Sequence, residues 1–429
     1  MMIERVELLQ TKKEWFSLFL LFFILLTLNL SYEYYKYKQL IKFDSALVDA
    51  TVLKQYNKTK LTKTRKTKHY QVLKLKASEG YTFYTIAKKD LPNIISKEIH
   101  LEIFTGEIGN ITFMEYIKGF FAFSKILKIN NSTTTKDKLS QFIKKQHKDK
   151  ELTNIYEALY LAKPLPRKLQ TTFSTLGLSH LIAISGFHLG VLSALLYFLL
   201  KYPYRVFHNN YFPYRSYKID SFFIIATVLL FYTLFLESPP SLLRAFVMLL
   251  IGFFLYDRGI KIISMQTLLL TILLILALFP HLFFNIGLWL SVAGVFYIFL
   301  FFIYFQKLGK VYQFFLLPIF VYLLILPYSL TLFGNFSYLH PLSIIHTTLF
   351  TLFYPFSLVL HIVGLGSLFD PLLVMLLKSA DFGTVVVLDQ KILWLFIGVS
   401  LGSIYNRVLF YILNIFALSV FIYAVYNVT

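Results

Sequence analysis

The chain has no cysteine among its 429 residues, which excludes disulfides, thiolate nucleophiles and cysteine-ligated zinc. It is also short of acid: 22 Asp and Glu stand against 42 Lys and Arg, a net charge of +20. Carboxylates for acid–base or metal chemistry are correspondingly scarce, and no stretch has the spacing of a metal or cofactor motif. Neither a metal nor a cofactor is therefore expected. What the sequence has instead is apolar mass, 57% hydrophobic and 18% aromatic. Apolar runs of roughly 17 to 24 residues recur, and each is long enough to cross a bilayer core of about 30 Å. Spans are predicted at 15–31, 181–201, 219–236, 241–256, 262–280, 284–305 and 311–332. The region 341–429 is interrupted by Pro341, Pro355, Gly364, Gly366, Pro371 and Gly383, so two to four crossings or in-plane helices fit it. The first run follows Lys12 and Lys13 and lacks a small-residue cleavage site, which predicts an uncleaved anchor.

Between the first two spans lies a polar insert, 32 to about 178, long enough to fold by itself. Alternation predicts strands at 43–54, 69–77, 81–88 and 98–105. Short strands packed this densely suggest a small barrel of the oligonucleotide-binding (OB-like) type. The expected fold class is thus a polytopic α-helical membrane protein with a small external OB-like β-barrel inserted after the first transmembrane helix. Its parts are an N-terminus (1–14), an anchor (15–31), the β domain (32–130), a helical lead-in (131–176) and a polytopic domain (177–429). With the N-terminus cytoplasmic, the loops 201–218, 257–261 and 306–310 should be positive, and each carries lysine or arginine. The same register puts 32–178 outside, and long domains translocate regardless of their charge.

Three membrane stretches carry polar groups where they are expensive. The first is HLIAISGFHLG, 180–190. Read as one helix, it stacks Ala183, Gly186, Gly190 and Ala194 into a small-residue stripe for close packing, with His180, Ser185 and His188 lining or bracing a polar wall. Ser185 and His188 at helical spacing also allow a serine hydrolase pair, although no acid is near in sequence. His180 and His188 stand about 12 Å apart on such a helix, too far to share a metal. The second stretch is ESPPSLLRAF, 237–246, in which Pro239 and Pro240 start a helix and Arg244 follows a turn later. Arg244 either snorkels to the interface and pairs with Glu237, or faces an aqueous path as a phosphate partner. The third is NIGLWLSVAG, 285–294, where Gly287, Ser291 and Gly294 again read as a packing stripe.

In the external insert, residues 50–78 hold eight lysines and Arg65 with no acid. Lys54, Lys58, Lys63, Arg65, Lys66, Lys68, Lys74 and Lys76 lie near Tyr70 and other tyrosines. Basic groups that follow phosphates beside aromatic faces that stack bases are what single-stranded nucleic acid requires. A solvated hairpin loop is the plainer account of the same run.

GLSHLIAISGFHLG, 177–190, closely resembles the signature of the ComEC competence proteins, and SPPSLLRAF, 238–246, resembles that family's proline turn before Arg-Ala. The order of anchor, external β domain, lead-in and polytopic region is similar too. The resemblance implies a non-enzymatic channel that carries single-stranded DNA across the bacterial inner membrane in natural transformation. Membrane lipids, a periplasmic DNA-binding protein and a cytoplasmic helicase are the implied partners, and a homo-oligomer is compatible with it. Trp289 stands where the family usually has glutamine, which weakens any polar role there. Many members continue into a metallo-β-lactamase-like domain. No His-x-His-x-Asp-His cluster occurs here, so the resemblance places any nuclease in another protein. The competing readings are an intramembrane hydrolase using Ser185 and His188, and an anion or lipid-linked solute transporter using Arg244.

Overall fold

The computed structural model describes residues 8–428 apart from 62–66, 107–110, 131–133, 213 and 380–382. The chain divides into two compact units, one made of residues 11–141 with 273–284 and the other of the remainder.

In the first unit, helix α1 (Lys12–Leu40) opens with a reciprocal cap. The Glu14 amide donates to Thr11 Oγ1 at 3.2 Å, and the Thr11 amide donates to Glu14 Oε2 at 3.1 Å. The helix runs on past the expected end at residue 31 because its last turns belong to the core of the β domain. Tyr37 and Leu40 are buried there, and the Tyr37 hydroxyl donates to the Ile111 carbonyl at 2.6 Å. The strands are β1 (Ser45–Leu61), β2 (Thr67–Ala77), β3 (Thr82–Ala87), β4 (Glu98–Phe104), β5 (Phe120–Phe121) and β6 (Phe123–Ile129), with helix α2 (Phe113–Lys118) before β5. They form one six-stranded sheet in the order β5-β3-β2-β1-β4-β6. Its alternation removes Leu73, Leu75, Phe83, Leu101 and Ile103 fully from solvent. Each such side chain contributes about 1.5–3 kcal/mol.

The expected OB-like barrel is not shown: among the described residues the sheet is not a closed barrel, its order running from β5 to β6. Strands β3 and β6 approach through a side-chain hydrogen bond, Thr85 Oγ1 to Ser124 Oγ at 2.7 Å. The two-residue β5, parallel to β3, leads through Ala122, whose amide donates to the Tyr84 carbonyl at 2.9 Å, directly into β6. A bulge in β1 between Val52 and Lys54 has a second effect. It turns Lys54 away from the buried side of Val52 and pairs it with Lys74 on the outer face.

The second unit begins in the lead-in helices α3 (Thr135–Lys144, whose first turns fall in the first unit), α4 (Lys150–Leu161) and α5 (Arg167–Thr175). The short α6 (Ser179–Ile182) precedes α7 (Gly186–Tyr211), α8 (Tyr217–Phe235), α9 (Pro240–Asp257), α10 (Met265–Leu278, whose last turns fall in the first unit), α11 (Ile286–Phe305) and α12 (Lys310–Leu332). Helices α13 (Ser343–Ile362), α14 (Asp370–Lys378), α15 (Gln390–Gly402) and α16 (Arg407–Tyr426) complete it, with a two-stranded ladder of β7 (Asn335–Phe336) and β8 (Thr384–Val385).

Among the described residues, seven helices are long and apolar enough to cross a membrane: α1, α8, α9, α11, α12, α16 and the stretch His340–Ile362 that contains α13. Two expected spans differ. The 181–201 run is interrupted after α6 and resumes as a helix only at Gly186, and α7 then extends through Lys201 and Arg205 to Tyr211. The 262–280 run yields the 14-residue α10, about 21 Å of helix and so shorter than a bilayer core.

Candidate functional site

The first polar motif is not one helix. Ala183 is extended (φ −69°, ψ 122°) and Ser185 is the extended N-cap of α7. The break exposes backbone groups that a continuous helix would have used internally, and neighbouring side chains take them up. Ser241 Oγ, one residue into α9, donates to the Ile184 carbonyl at 2.7 Å. The Ser185 amide donates to His188 Nδ1 at 3.1 Å. In the α8–α9 turn, Glu237 and Ser238 both adopt positive φ (64° and 54°), a conformation costly for non-glycine residues. That turn sets Pro239 and Pro240 to start α9 and aims Arg244 at the break.

Arg244 then joins all three motifs. Its Nε donates to Ser291 Oγ on α11 at 2.8 Å, and Nη1 approaches Met248 Sδ at 3.5 Å. A Cβ on Gly186 would stand 2.9 Å from Nη2 and 2.8 Å from Ala245 Cβ, so only glycine fits where α7 meets α9. Arg244 is 5% exposed and makes no ion pair among the described residues; the alternative of a bridge to Glu237 does not form. It borders an open groove of about 360 Å³ lined by Gly186, Leu189, Gly190, Ala245, Met248 and Leu249. Chemically this is a fixed planar cation with unspent N–H donors beside an accessible groove, which suits an oxyanion such as phosphate.

The packing stripes need correction. The helix break removes Ala183 from the face of Gly186, Gly190 and Ala194. Ala183, Gly190 and Ala194 are exposed on the bundle, and a Cβ at Gly190 or Gly294 would touch nothing within 4 Å. Gly287 serves the N-cap of α11, its amide donating to Asn285 Oδ1 at 2.9 Å, and Ser291 serves Arg244. Gly186 alone of this set is a close-packing glycine. His180 Nε2 meets Thr347 Oγ1 of α13 at 3.2 Å, while His188 is fully buried against Tyr354 and Phe350, with ring centroids 4.5 and 5.4 Å away. His180 and His188 therefore both brace the same neighbour, α13.

Ser185 Oγ does lie 3.1 Å from His188 Nδ1. That nitrogen already accepts the Ser185 amide, and Nε2 has no carboxylate to orient it. The pair reads as a helix cap. Among the described residues no group of three or more His, Cys, Asp or Glu is arranged to hold a metal.

In the β domain, the strand register puts Lys54, Lys58, Tyr70, Lys74 and Lys76 on one face, together with Tyr56 and Tyr84. Lys74 Nζ stands 5.5 Å from the Tyr84 ring centroid. Desolvation lowers the Lys54 ammonium below its ordinary pKa and the adjacent Lys74 lowers it further; desolvation lowers Lys74 as well. Two ammonium groups held close without an acid are relieved by a phosphate. Lys63, Arg65 and Lys66 lie outside the described residues, and Lys68 falls within β2.

Sequence reasoning missed a buried polar cluster, His147, His361 and Asp370, in which His147 lies more than 200 residues from the other two, so no spacing signal links them. It also missed His340, which receives the signature's first glycine: Gly177 has φ +71°, and a Cβ there would stand 2.8 Å from the His340 ring.

These features define a multi-pass membrane protein with a buried, uncompensated guanidinium where three helices meet. The family model described as Competence protein matches residues 162–426, well over half of the chain. The chain therefore belongs to the ComEC family of competence proteins, whose role is in DNA uptake. No curated protein matches it, and no solved structure does.

Proposed function

We propose that this protein passes single-stranded DNA across the bacterial inner membrane during natural transformation and performs no chemistry on the strand. The observation that carries the reading is Arg244, a buried guanidinium with no acid partner that faces a groove next to the family signature. A lone cation in a low-dielectric wall attracts a phosphodiester strongly. Its short partner is the neutral Ser291 hydroxyl and the groove lining is otherwise apolar, which limits how tightly the strand is held, and a strand in transit must also be released. The basic, tyrosine-bearing face of the β domain supports capture of a strand from outside, given a cytoplasmic N-terminus and residues 32–178 in the periplasm. A periplasmic DNA-binding protein would deliver the strand and a cytoplasmic helicase would draw it in.

Deleting the gene should abolish transformation while cells still capture external DNA, both scored with one labelled fragment. Unchanged transformation overturns the proposal. The hydrolase reading rests on the 3.1 Å contact between Ser185 and His188. Ser185→Ala should retain most transport, because a capping hydroxyl is worth about 1 kcal/mol and a nucleophile is indispensable. Complete loss in a normally inserted Ser185→Ala protein, together with labelling of wild type by a serine-reactive probe, would establish the hydrolase.

A further inference from the structure

The second unit also holds a buried chain of three titratable groups that transport, as proposed, does not use. His147, between α3 and α4, has Nδ1 3.0 Å from each carboxylate oxygen of Asp370 at the start of α14. Its Nε2 lies 3.0 Å from Nε2 of His361 near the end of α13, and His361 Nδ1 lies 2.7 Å from the Ser357 carbonyl. The His147 side chain is fully buried and that of Asp370 is 17% exposed. From α4, Tyr156 stacks on His147 (4.4 Å between centroids) and touches His361 (4.5 Å), and Tyr160 meets His361 edge-on at 5.1 Å. Burial pushes both phenols up, so both stay neutral. Gln146 closes the corner: its amide donates to the His361 carbonyl at 3.0 Å and its oxygen accepts from the Gly366 amide at 2.8 Å. Asp370 is thus the formal charge that faces the rings.

Counting hydrogens shows what the chain must hold. The Ser357 carbonyl only accepts, so His361 Nδ1 carries a hydrogen. An ionised Asp370 only accepts, so His147 Nδ1 carries one too. Two neutral imidazoles would then point lone pairs at each other across 3.0 Å. A third hydrogen is needed, one more than an ionised carboxylate and two neutral rings supply. With it the cluster is electrically neutral; without it a negative charge stays buried beside a repulsive contact. A zinc ion bridging the rings would hold the nitrogens about 3.3 Å apart and would need further ligands. Among the described residues no third His, Cys, Asp or Glu is arranged to supply one.

We infer that Asp370, His147 and His361 form a one-proton site that latches the lead-in helices to α13, closed while the extra proton is held and weakened when it is lost. The sign follows from the counts. Above about pH 6.5, the ordinary histidine value, the opened chain keeps two hydrogens and the closed one three, so opening releases a proton and rising pH favours it. Below about pH 6.5 the opened rings hold four, so acid favours opening as well. The latch is tightest near that pH. On its alkaline side the opened fraction rises about tenfold per pH unit until the closed chain gives up its own proton.

Because the chain has no cysteine, a single Ala158→Cys reports opening; Ala158 lies on α4 and is 4% exposed. Its maleimide labelling is measured in the full-length protein in lipid nanodiscs, each rate referred to the denatured protein at the same pH. The rate should climb about tenfold per unit between about pH 7 and 9. In Asp370→Asn the amide donates to His147 Nδ1, His147 Nε2–H donates to His361, and every bond is made without an extra proton. That variant should be protected at about pH 7 and flat to about pH 9. Equal climbs in both proteins, no climb in wild type, or an Asp370→Asn protein that is unprotected or fails to accumulate would each overturn the latch.

Discussion

Arg244→Met separates a transport group from a structural one, because the two roles predict opposite changes in stability. Arg244 is 5% exposed, with Ser291 Oγ as the short hydrogen-bond partner of its guanidinium and no counter-charge among the described residues. An ionised group of this kind costs several kcal/mol to desolvate, and no Coulomb term offsets it here. Losing the bond to Ser291 costs about 1.5–3 kcal/mol. Methionine fills similar volume without the charge, so the balance leaves the variant as stable as wild type or more so. Transport should collapse, since a phosphate held by charge-assisted bonds of about 1.5–3 kcal/mol loses roughly tenfold to a hundredfold in occupancy when they go. Arg244→Lys keeps the charge but lacks the fork that reaches Ser291, so it should fall between the two. The assay is transformation per molecule of membrane-inserted protein, read beside the thermal midpoint in detergent. A midpoint that falls in step with transport would make Arg244 a structural residue, and equal transport by arginine, lysine and methionine would remove it from the path. Uptake of a labelled small anion that survives when DNA transport is lost would favour the solute-transporter reading instead.

Gly186→Leu should abolish transport, because even a Cβ there meets Ala245 at 2.8 Å and Arg244 at 2.9 Å, and overpacking of this kind costs about 1–3 kcal/mol. Gly190→Ala and Gly294→Ala, whose Cβ atoms would meet nothing within 4 Å, should be silent in the same transformation assay. The full-length protein in nanodiscs should bind single strands more tightly than duplex, with affinity falling steeply as salt rises. Lys74→Ala should weaken that binding, and because Lys54 and Lys74 lose their protons below the ordinary lysine range, wild-type affinity should decline with rising pH before that range is reached. Salt-independent binding would refute the basic-face assignment.

What the sequence disclosed depended on whether the signal was local. Apolar runs and period-two alternation are local, so α8, α9, α11 and α12 and strands β2, β3 and β4 lie close to where the pattern puts them. Barrel closure is not local: alternation marks the strands but not how the edges of the sheet meet, and a closed barrel is not shown among the described residues. The signature misled in geometry though not in importance. Helical periodicity assumed one helix through Ser185, whereas Ser185 prefers to cap, and Ser241 from another helix stabilises the resulting break. Arg244 was legible as an expensive residue, but its missing counter-charge was not, since Glu237 seven residues earlier is the obvious partner until the positive-φ turn intervenes.

The acid-poor composition takes on a sharper meaning beside these contacts. In a chain with ordinary acid content, a guanidinium between α7, α9 and α11 would gain most by recruiting a nearby carboxylate, and the pair would then be closed to any passing anion. Here its short bond goes to a neutral serine, and the charge stays available to a ligand. The same holds for Lys54 and Lys74, whose mutual repulsion is tolerated on the β-domain face with no glutamate between them. Of the second unit's acids, the buried Asp220 is held by Arg215 at 2.9 Å and the partly buried Asp370 faces His147, and neither is paired with Arg244 among the described residues. Other cations of this chain, Arg215 and Lys163 among them, have their acids, so leaving Arg244, Lys54 and Lys74 without one is a local cost to folding that the proposed polyphosphate strand would offset at both the sheet face and the helix junction.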